Sequence, residues 1–209
     1  KTLQQAAGVL CKRDSDLAWI VRKHGPPPLW RRSGSFATLV HLILEQQVSL
    51  ASALAVFNRL KAQMPMTAAH FAGLDEVELR ERGLTRQKSA YCIELAKAIA
   101  SGALNLSAVR KADDVTARKE LVRIKGIGAW TADCYLLFCL CRPDIWPDGD
   151  LALAESARWL KRLNTRPGGE RLREIVAPWS PYRAVGARIL WRSYLAGNRG
   201  DAPQMDVRE

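Results

Sequence analysis

The chain holds 209 residues, with 32 Lys+Arg against 21 Asp+Glu for a formal charge of +11, and 48% of it is hydrophobic. That is enough apolar material for one large domain or two small lobes, and the positive excess favours a polyanionic partner through counterion release. No apolar run reaches the roughly 18 residues that span a bilayer, and no basic-then-apolar signal opens the sequence, so nucleic acid is the expected partner, no membrane is, and the cytoplasm is the expected compartment.

Periodicity is helical almost throughout, and no segment alternates as a half-buried strand does, so the chain reads as all-α. After breaks at Gly25 to Pro28 and Arg31 to Ser35, Val40, Ile43, Leu44 and Gln47 recur at helical spacing. Cys92, Leu95, Ala96 and Ile99 do the same, with Gly102 where a helix end would sit. Further breaks fall at Met64 to Thr67, Gly73 and Gly83. Glu120 to Ile124 closes one helical pattern, and Ala129 to Leu140 opens another that is apolar on nearly every face, as a buried helix is. A Pro/Gly-rich loop from Pro143 to Gly149 precedes a pattern from Leu151 to Leu163. Arg166 to Gly169 and Pro178 with Pro181 break the chain again before the last helical segment, and the polar tail after Gly197 is expected to be loosely ordered.

The richest stretch runs from Leu121 to Asp150, LVRIKGIGAWTADCYLLFCLCRPDIWPDGD. Lys125, Gly126, Ile127 and Gly128 separate two helices there. Two glycines around a β-branched residue let the backbone turn sharply and aim its N–H groups, with the helix start at Ala129, at an anion. A glycine pair of this kind is also a plain helix-to-helix turn; the adjacent Lys125 and the basic chain favour a phosphate contact. Asp150 stands ahead of Leu151, where Asp is a preferred N-cap, and capping is compatible with a catalytic role. Asp148 is its rival, whereas Asp133, inside the second helix, reads as structural.

Other residues read more plainly. Cys11, Cys92, Cys134, Cys139 and Cys141 are odd in number and lack paired spacing, which suits buried thiols rather than disulfides. His24, His41 and His70 are scattered and suggest no zinc site. Trp19, Trp30, Trp146 and Trp159 read as packing residues, and Lys161, Arg162, Arg183 and Arg188 as solvated charge.

On the hairpin, the Pro143 to Asp150 loop and the aspartate that ends it, the chain resembles the helix-hairpin-helix DNA glycosylases of base excision repair, the HhH-GPD superfamily. Three further segments resemble the 3-methyladenine DNA glycosylase II, or AlkA-like, type: FATLVHLILEQQVSLASALAVFNRL from Phe36 to Leu60, LRERGLTRQKSAYCIELAKAI within Leu74 to Ile99, and PWSPYRAVGARILW from Pro178 to Trp191. These matches span roughly residues 36 to 195. The β-rich N-terminal domain of some members has no counterpart in residues 1–35, so a compact form is expected. The resemblance implies one catalytic domain of two helical lobes, 36–140 and 1–35 plus 141–209, with the active-site cleft between them.

It also implies an activity: a monomeric, nucleoid-associated glycosylase that flips alkylated purines, of the 3-methyladenine and 7-methylguanine type, out of double-stranded DNA and hydrolyses their glycosidic bond. Asp150 is the implied catalytic carboxylate. Trp130 occupies the place where strand-cutting members carry a Schiff-base lysine, which implies a monofunctional enzyme. Trp130, Trp191 and Cys134 are implied to line the base pocket, Cys134 where some relatives keep tyrosine. Gln47, with Ser49, is implied to wedge into the duplex, the alternative being a surface turn in which Ser49 caps a helix. Lys125, Gly126, Ile127, Gly128 and Ala129 would hold phosphate, and the loop's carbonyls can hold a monovalent cation. Four clustered C-terminal cysteines carry an iron–sulfur cluster in some members; with no cysteine after Cys141, none is expected. Two other readings stand beside this one. A non-catalytic hairpin module would need no carboxylate at position 150 and often carries tandem hairpins, and a lyase acting on oxidised bases would need a lysine where Trp130 stands.

Overall fold

The computed structural model describes residues 2–197, and the expectation for the tail after Gly197 lies outside them. Among the described residues are thirteen α-helices, one 3-10 turn and no strand. The helices are α1 (Leu3–Arg13), α2 (Ser15–His24), α3 (Phe36–Glu45), α4 (Leu50–Gln63), α5 (Ala68–Ala72), α6 (Glu76–Glu81), α7 (Arg86–Ala100), α8 (Leu106–Lys111), α9 (Asp114–Val122), α10 (Ala129–Phe138), α11 (Leu151–Leu160), α12 (Gly169–Val176) and α13 (Arg183–Gly197), with the 3-10 turn at Ala177–Trp179.

Capping chemistry explains where most of these helices begin. An N-cap side-chain oxygen accepts an otherwise orphaned first-turn N–H at Thr2, Asp14, Ser35, Ser49, Thr67, Asp75, Thr85, Asn105, Asp113 and Asp150. Helices α10 and α12 break the series: their N-caps are Gly128 and Gly168, and no side chain closes either.

Helix ends correct the sequence reading at four places. Helix α9 stops at Val122 rather than Ile124. The spacing of Val40, Ile43, Leu44 and Gln47 carries α3 through Gln47, yet α3 stops at Glu45; Gln46 is extended at ψ 124 and Gln47 adopts a left-handed φ of 57°. Helix α11 ends at Leu160 rather than Leu163. Arg162 turns left-handed at φ 52°, and the Arg162 and Leu163 N–H groups bond back to the Trp159 and Arg158 carbonyls, a Schellman closure without glycine. Helix α10 gives way at Phe138, two residues early.

The chain divides into two compact units. The first, residues 32–140, is continuous in sequence and holds α3 to α10. Helix α7 packs against α5, α6 and α3, and α10 packs against α9 and α3. Leu39, Val40, Leu42 and Ile43 of α3 and Leu95 of α7 are fully buried, and Phe36 meets Phe71 edge-on at 5.1 Å. Every residue from Thr131 to Phe138 is buried, as the all-round apolar pattern of α10 requires. At about 1.5–3 kcal/mol for each fully buried Leu, Ile or Phe, this core is what fixes α3, α9 and α10 as a platform.

The second unit joins residues 2–31 to 141–197, with α13 packed against α1, α2 and α11. Asp14 is its polar centre. It caps α2, accepts from the Lys161 ammonium at 2.9 Å and from the Trp179 indole N–H at 2.9 Å, while Lys161 also reaches Asp16 at 2.8 Å. Trp179 meets Trp146 edge-on and covers Gly186, where a Cβ would fall 2.4 Å from the ring. Three of the four basic residues expected in solvent are therefore structural. Lys161 is paired as above, Arg183 forms a bidentate pair with Asp144, and Arg188 is 3% exposed and donates to the Leu29 carbonyl. Their partners lie from 39 to 159 positions away, beyond the reach of local pattern. Arg162 is exposed as expected. Of the four packing tryptophans, Trp30 and Trp146 are buried, Trp159 stacks on Tyr194, and Trp19 is half-exposed beneath the Lys23 ammonium.

Candidate active site

In the unit spanning 32–140, the hairpin is closed by main-chain bonds. The Ile124 N–H donates to Leu121 O, and the Ile127 N–H to Ile124 O at 3.0 Å. Buried Ile127 anchors the turn, leaving Lys125, Gly128 and Ala129 exposed. The two glycines do different work. Gly126 sits at φ 96°, and a Cβ there would lie 2.3 Å from Cγ of Tyr91, so both conformation and space demand glycine. Gly128 is at φ −81° with nothing within 4 Å of a built Cβ. It begins α10 without supplying a capping oxygen, which leaves the positive end of that helix able to accept an anion.

The α3–α4 turn, residues 46 to 49, is tied to this hairpin. The Lys88 ammonium donates to the Leu44 carbonyl at 2.6 Å, and Arg32 grips Glu45 through two N–H···O bonds of 2.7 and 3.1 Å. Burial holds the Lys88 pKa below its ordinary value, partly offset by Cys92. The Gln46 amide donates to Gly126 O and to Thr131 Oγ1, each at 2.9 Å. From this base Gln47 projects exposed, followed by half-exposed Val48. Ser49 supplies the cap of α4, accepting from the Ser52 N–H and sharing a 2.8 Å bond with its hydroxyl, which is the capping alternative for that residue. Gln46 stands with Gln47 and Ser49 at the start of the expected wedge turn, whereas Lys88 and Tyr91 carry no such signal.

Trp130 is half-buried at the second position of α10, and Cys134 is fully inside that helix's buried face. The neighbouring Tyr135 hydroxyl donates to Gly34 O at 3.0 Å, and burial pushes its pKa well above the ordinary phenol range. Asp133 is gripped by Arg118 through bonds of 2.7 and 3.1 Å, a structural carboxylate as expected.

In the unit of residues 2–31 and 141–197, the Pro143 to Asp150 loop carries three carboxylates in three environments. Asp144 is bound by Arg183 and by the Ser180 hydroxyl; burial raises its pKa, but those bonds outweigh the burial and hold it below 3.8. Asp148 is partly exposed and faces Arg173 at 3.5 Å. Asp150 is 8% exposed. Gly149, at φ 82°, turns the chain into it, and its Oδ1 accepts the Leu153 N–H at 2.8 Å and the Trp191 indole N–H at 3.4 Å. The fold thus joins two of the residues singled out in the sequence, Asp150 and Trp191, as it joins Gln47 to the hairpin through Gln46. Among the described residues no group of three or more His, Cys, Asp or Glu could hold a metal ion, and no helix is long and apolar enough to cross a membrane.

A family model described as HhH-GPD superfamily base excision DNA repair protein matches residues 40–181. A DNA-3-methyladenine glycosylase of Bacillus subtilis is 31% identical over 170 residues, covering 75% of this chain and 56% of that protein. A putative DNA-3-methyladenine glycosylase of the same organism, YfjP, is 28% identical over 191 residues, covering 86% of this chain and 66% of that one. The chain therefore spans between about half and two thirds of the length of these two relatives. The solved structure of Schizosaccharomyces pombe 3-methyladenine DNA glycosylase Mag1 in complex with abasic-DNA superimposes with a TM-score of 0.84 at 26% identity, over 94% of this chain and 100% of that one.

Proposed function

The chain belongs to the HhH-GPD superfamily of base excision DNA repair proteins, and from that premise we propose that it is a monofunctional DNA glycosylase that removes alkylated purines from duplex DNA. The observation that carries the reading is Asp150, a carboxylate buried at the start of α11 whose Oδ1 is oriented by two neutral N–H donors.

Departure of an alkylated purine takes the bonding electron pair with the base and leaves positive charge on the sugar. A carboxylate fixed in a dry site stabilises that oxocarbenium-like state, and it orients the attacking water and takes its proton as the water oxygen bonds to the anomeric carbon. Because an alkylated purine is already cationic, no strong acid is required to drive it off. The indole face of Trp130 suits a flipped cationic base, a contact worth about 0.5–2 kcal/mol. Trp191 both borders Asp150 and fixes its carboxylate. The uncapped start of α10, with exposed Lys125, Gly128 and Ala129, suits a phosphate and reads no bases. The Ile124 and Gly126 carbonyls each keep a second lone pair beyond the bond it accepts, so a monovalent cation held there would add positive charge beside that phosphate. Gln47 fits a polar wedge, able to fill the vacated space and to hydrogen-bond the orphaned base.

The test is single-turnover base release from duplexes carrying 3-methyladenine, 7-methylguanine or ethenoadenine, with sodium borohydride present in a parallel arm. The expected products are free base and an intact abasic strand, with no trapped adduct. Strand cleavage accompanied by a covalent complex would remove the monofunctional assignment, and absence of release from every lesion would remove the glycosylase itself.

A further inference from the structure

We infer that Gln46 is a positioning residue that couples the wedge turn to the phosphate-binding hairpin, so that the two engage DNA as one device. The inference rests on the glycosylase reading and on Gln47 as wedge.

Three observations carry it. The amide of Gln46 has two N–H groups, and each is spent on a different side of the α10 start: one on Gly126 O, before the uncapped N-terminus, and one on Thr131 Oγ1, just inside it. The orientation follows from chemistry, since a main-chain carbonyl only accepts and the nitrogen must therefore face it. Next, the residue that follows is forced into a conformation it would not choose. Gln47, with a Cβ, stands at φ 57°, a left-handed geometry that persists only where its surroundings over-determine it. Lastly, the surroundings do so. Leu44 is held by Lys88 of α7, Glu45 by Arg32, Gln46 by the hairpin, and Ser49 caps α4 on the far side, leaving Gln47 and Val48 as the exposed residues of a turn fixed at both ends.

The hairpin amides and the wedge therefore share a hydrogen-bonded link only one side chain long. Phosphate capture at α10 sets the Gly126 and Thr131 positions, these set Gln46, and Gln46 sets where Gln47 points. Coupling of this kind is reciprocal: insertion of the wedge tightens the grip on phosphate by the same factor as phosphate favours insertion.

The experiment uses the full chain with a duplex that holds a tetrahydrofuran abasic analogue beside a 2-aminopurine, whose fluorescence rises when its stacking is broken by an inserted side chain. Wild-type protein, Gln46→Ala, Gln47→Ala and the double variant are compared for this signal and for single-turnover release of base from a paired lesion. Gln46→Ala is expected to lose most of the fluorescence rise and on the order of tenfold in release, the weight of two neutral hydrogen bonds. The double variant is expected to be no worse than Gln47→Ala, because a clasp has nothing left to position once the wedge is gone. A wild-type signal in Gln46→Ala, or losses that simply add in the double variant, would overturn the coupling. If Gln46→Ala does not fold, Gln46→Glu and Thr131→Val each cut one arm and must each lower the signal, and an undiminished signal in both overturns it as well. The readings fail separately. Loss of signal in Gln46→Ala but not in Gln47→Ala upholds the clasp and removes Gln47 as wedge, whereas a wild type that inserts but releases no base upholds the clasp and removes the glycosylase.

Discussion

Two buried aspartates, one in each unit, show how a fold gives the same side chain opposite duties. Asp133 is 2% exposed and Asp150 is 8% exposed, so both were taken out of water at considerable cost. Asp133 meets the guanidinium of Arg118 with both oxygens, and its charge is spent inside the protein. Asp150 has its Oδ1 oriented by a main-chain N–H and an indole N–H. Burial alone therefore does not separate a structural aspartate from the one proposed to be catalytic; the groups seen to hold each carboxylate differ in kind.

That contrast can be broken by exchanging charge for shape. Asp150→Asn keeps the size and most of the capping ability but removes the negative charge. Single-turnover base release should fall about 10²–10³-fold, equivalent to roughly 3–4 kcal/mol of transition-state stabilisation, while lesion-DNA affinity is unchanged or improved. Asp148→Asn, at a partly exposed position, is the control and should change release little. A rate near wild type for Asp150→Asn would sink the mechanism. Asp133→Asn should do the reverse: breaking a buried pair typically costs 3–5 kcal/mol, here about 2–3 because Arg118 is 41% exposed, and the loss should appear in the denaturant midpoint with release per folded molecule kept. If Asp133→Asn instead depressed release without destabilising the fold, the division between the two aspartates would be wrong.

The two hairpin glycines sharpen it further. Gly126→Ala places a Cβ into the Tyr91 ring at φ 96° and should cost about 1–3 kcal/mol of stability, whereas Gly128→Ala should fold like wild type. Gly128→Asp leaves room for the backbone but puts a carboxylate where phosphate is proposed to bind, so equilibrium binding should weaken alike for every duplex sequence. Sequence-dependent weakening would argue against a backbone clamp.

The smallest effect expected is acid sensitivity in the unit of residues 2–31 and 141–197. Burial raises the Asp14 pKa, but the bonds from Lys161 and Trp179 outweigh it, and Asp14, like Asp144, is held below 3.8 in the folded state. A carboxylate whose folded pKa is depressed adds stability above its unfolded value and loses it as pH falls through the folded one. The thermal midpoint should therefore drop as pH is lowered below about 3.8, and Asp14→Asn should flatten that slope. A midpoint that rose on acidification would contradict the sign.

Much of this was legible before any coordinates. The start of α10 followed from Gly128, the cap at Asp150 from an aspartate before an apolar pattern, and the burial of α10 from its unbroken apolar run. What escaped shares one cause. Gln47 looked helical because its spacing fits, but the end of α3 is decided by Gln46 binding a hairpin 80 positions away. Lys161, Arg183 and Arg188 looked solvated because their partners lie in distant segments, and Tyr91 showed nothing of its contact with Gly126. Periodicity reports which face of an element is buried; it carries no information on which partner waits there.

The polar knot around Asp14 has a further consequence, for the order in which the molecule comes into being. Asp14 and Lys161 are 147 positions apart, and Arg13 reaches Ser180 and Arg192 reaches His24 across 167 and 168. Residues 32–140, a continuous run rich in neighbouring-helix contacts, can close as they emerge from the ribosome. Helices α1 and α2 are made well before the helices that complete their unit. At about 5–20 residues per second they wait roughly 6–35 s for α11 and α13 to be synthesised. During that interval Leu10, Leu17 and Ile20, fully buried in the finished fold, have no native partner from the distal half of their unit, so α1 and α2 are exposed to aggregation until that half is made.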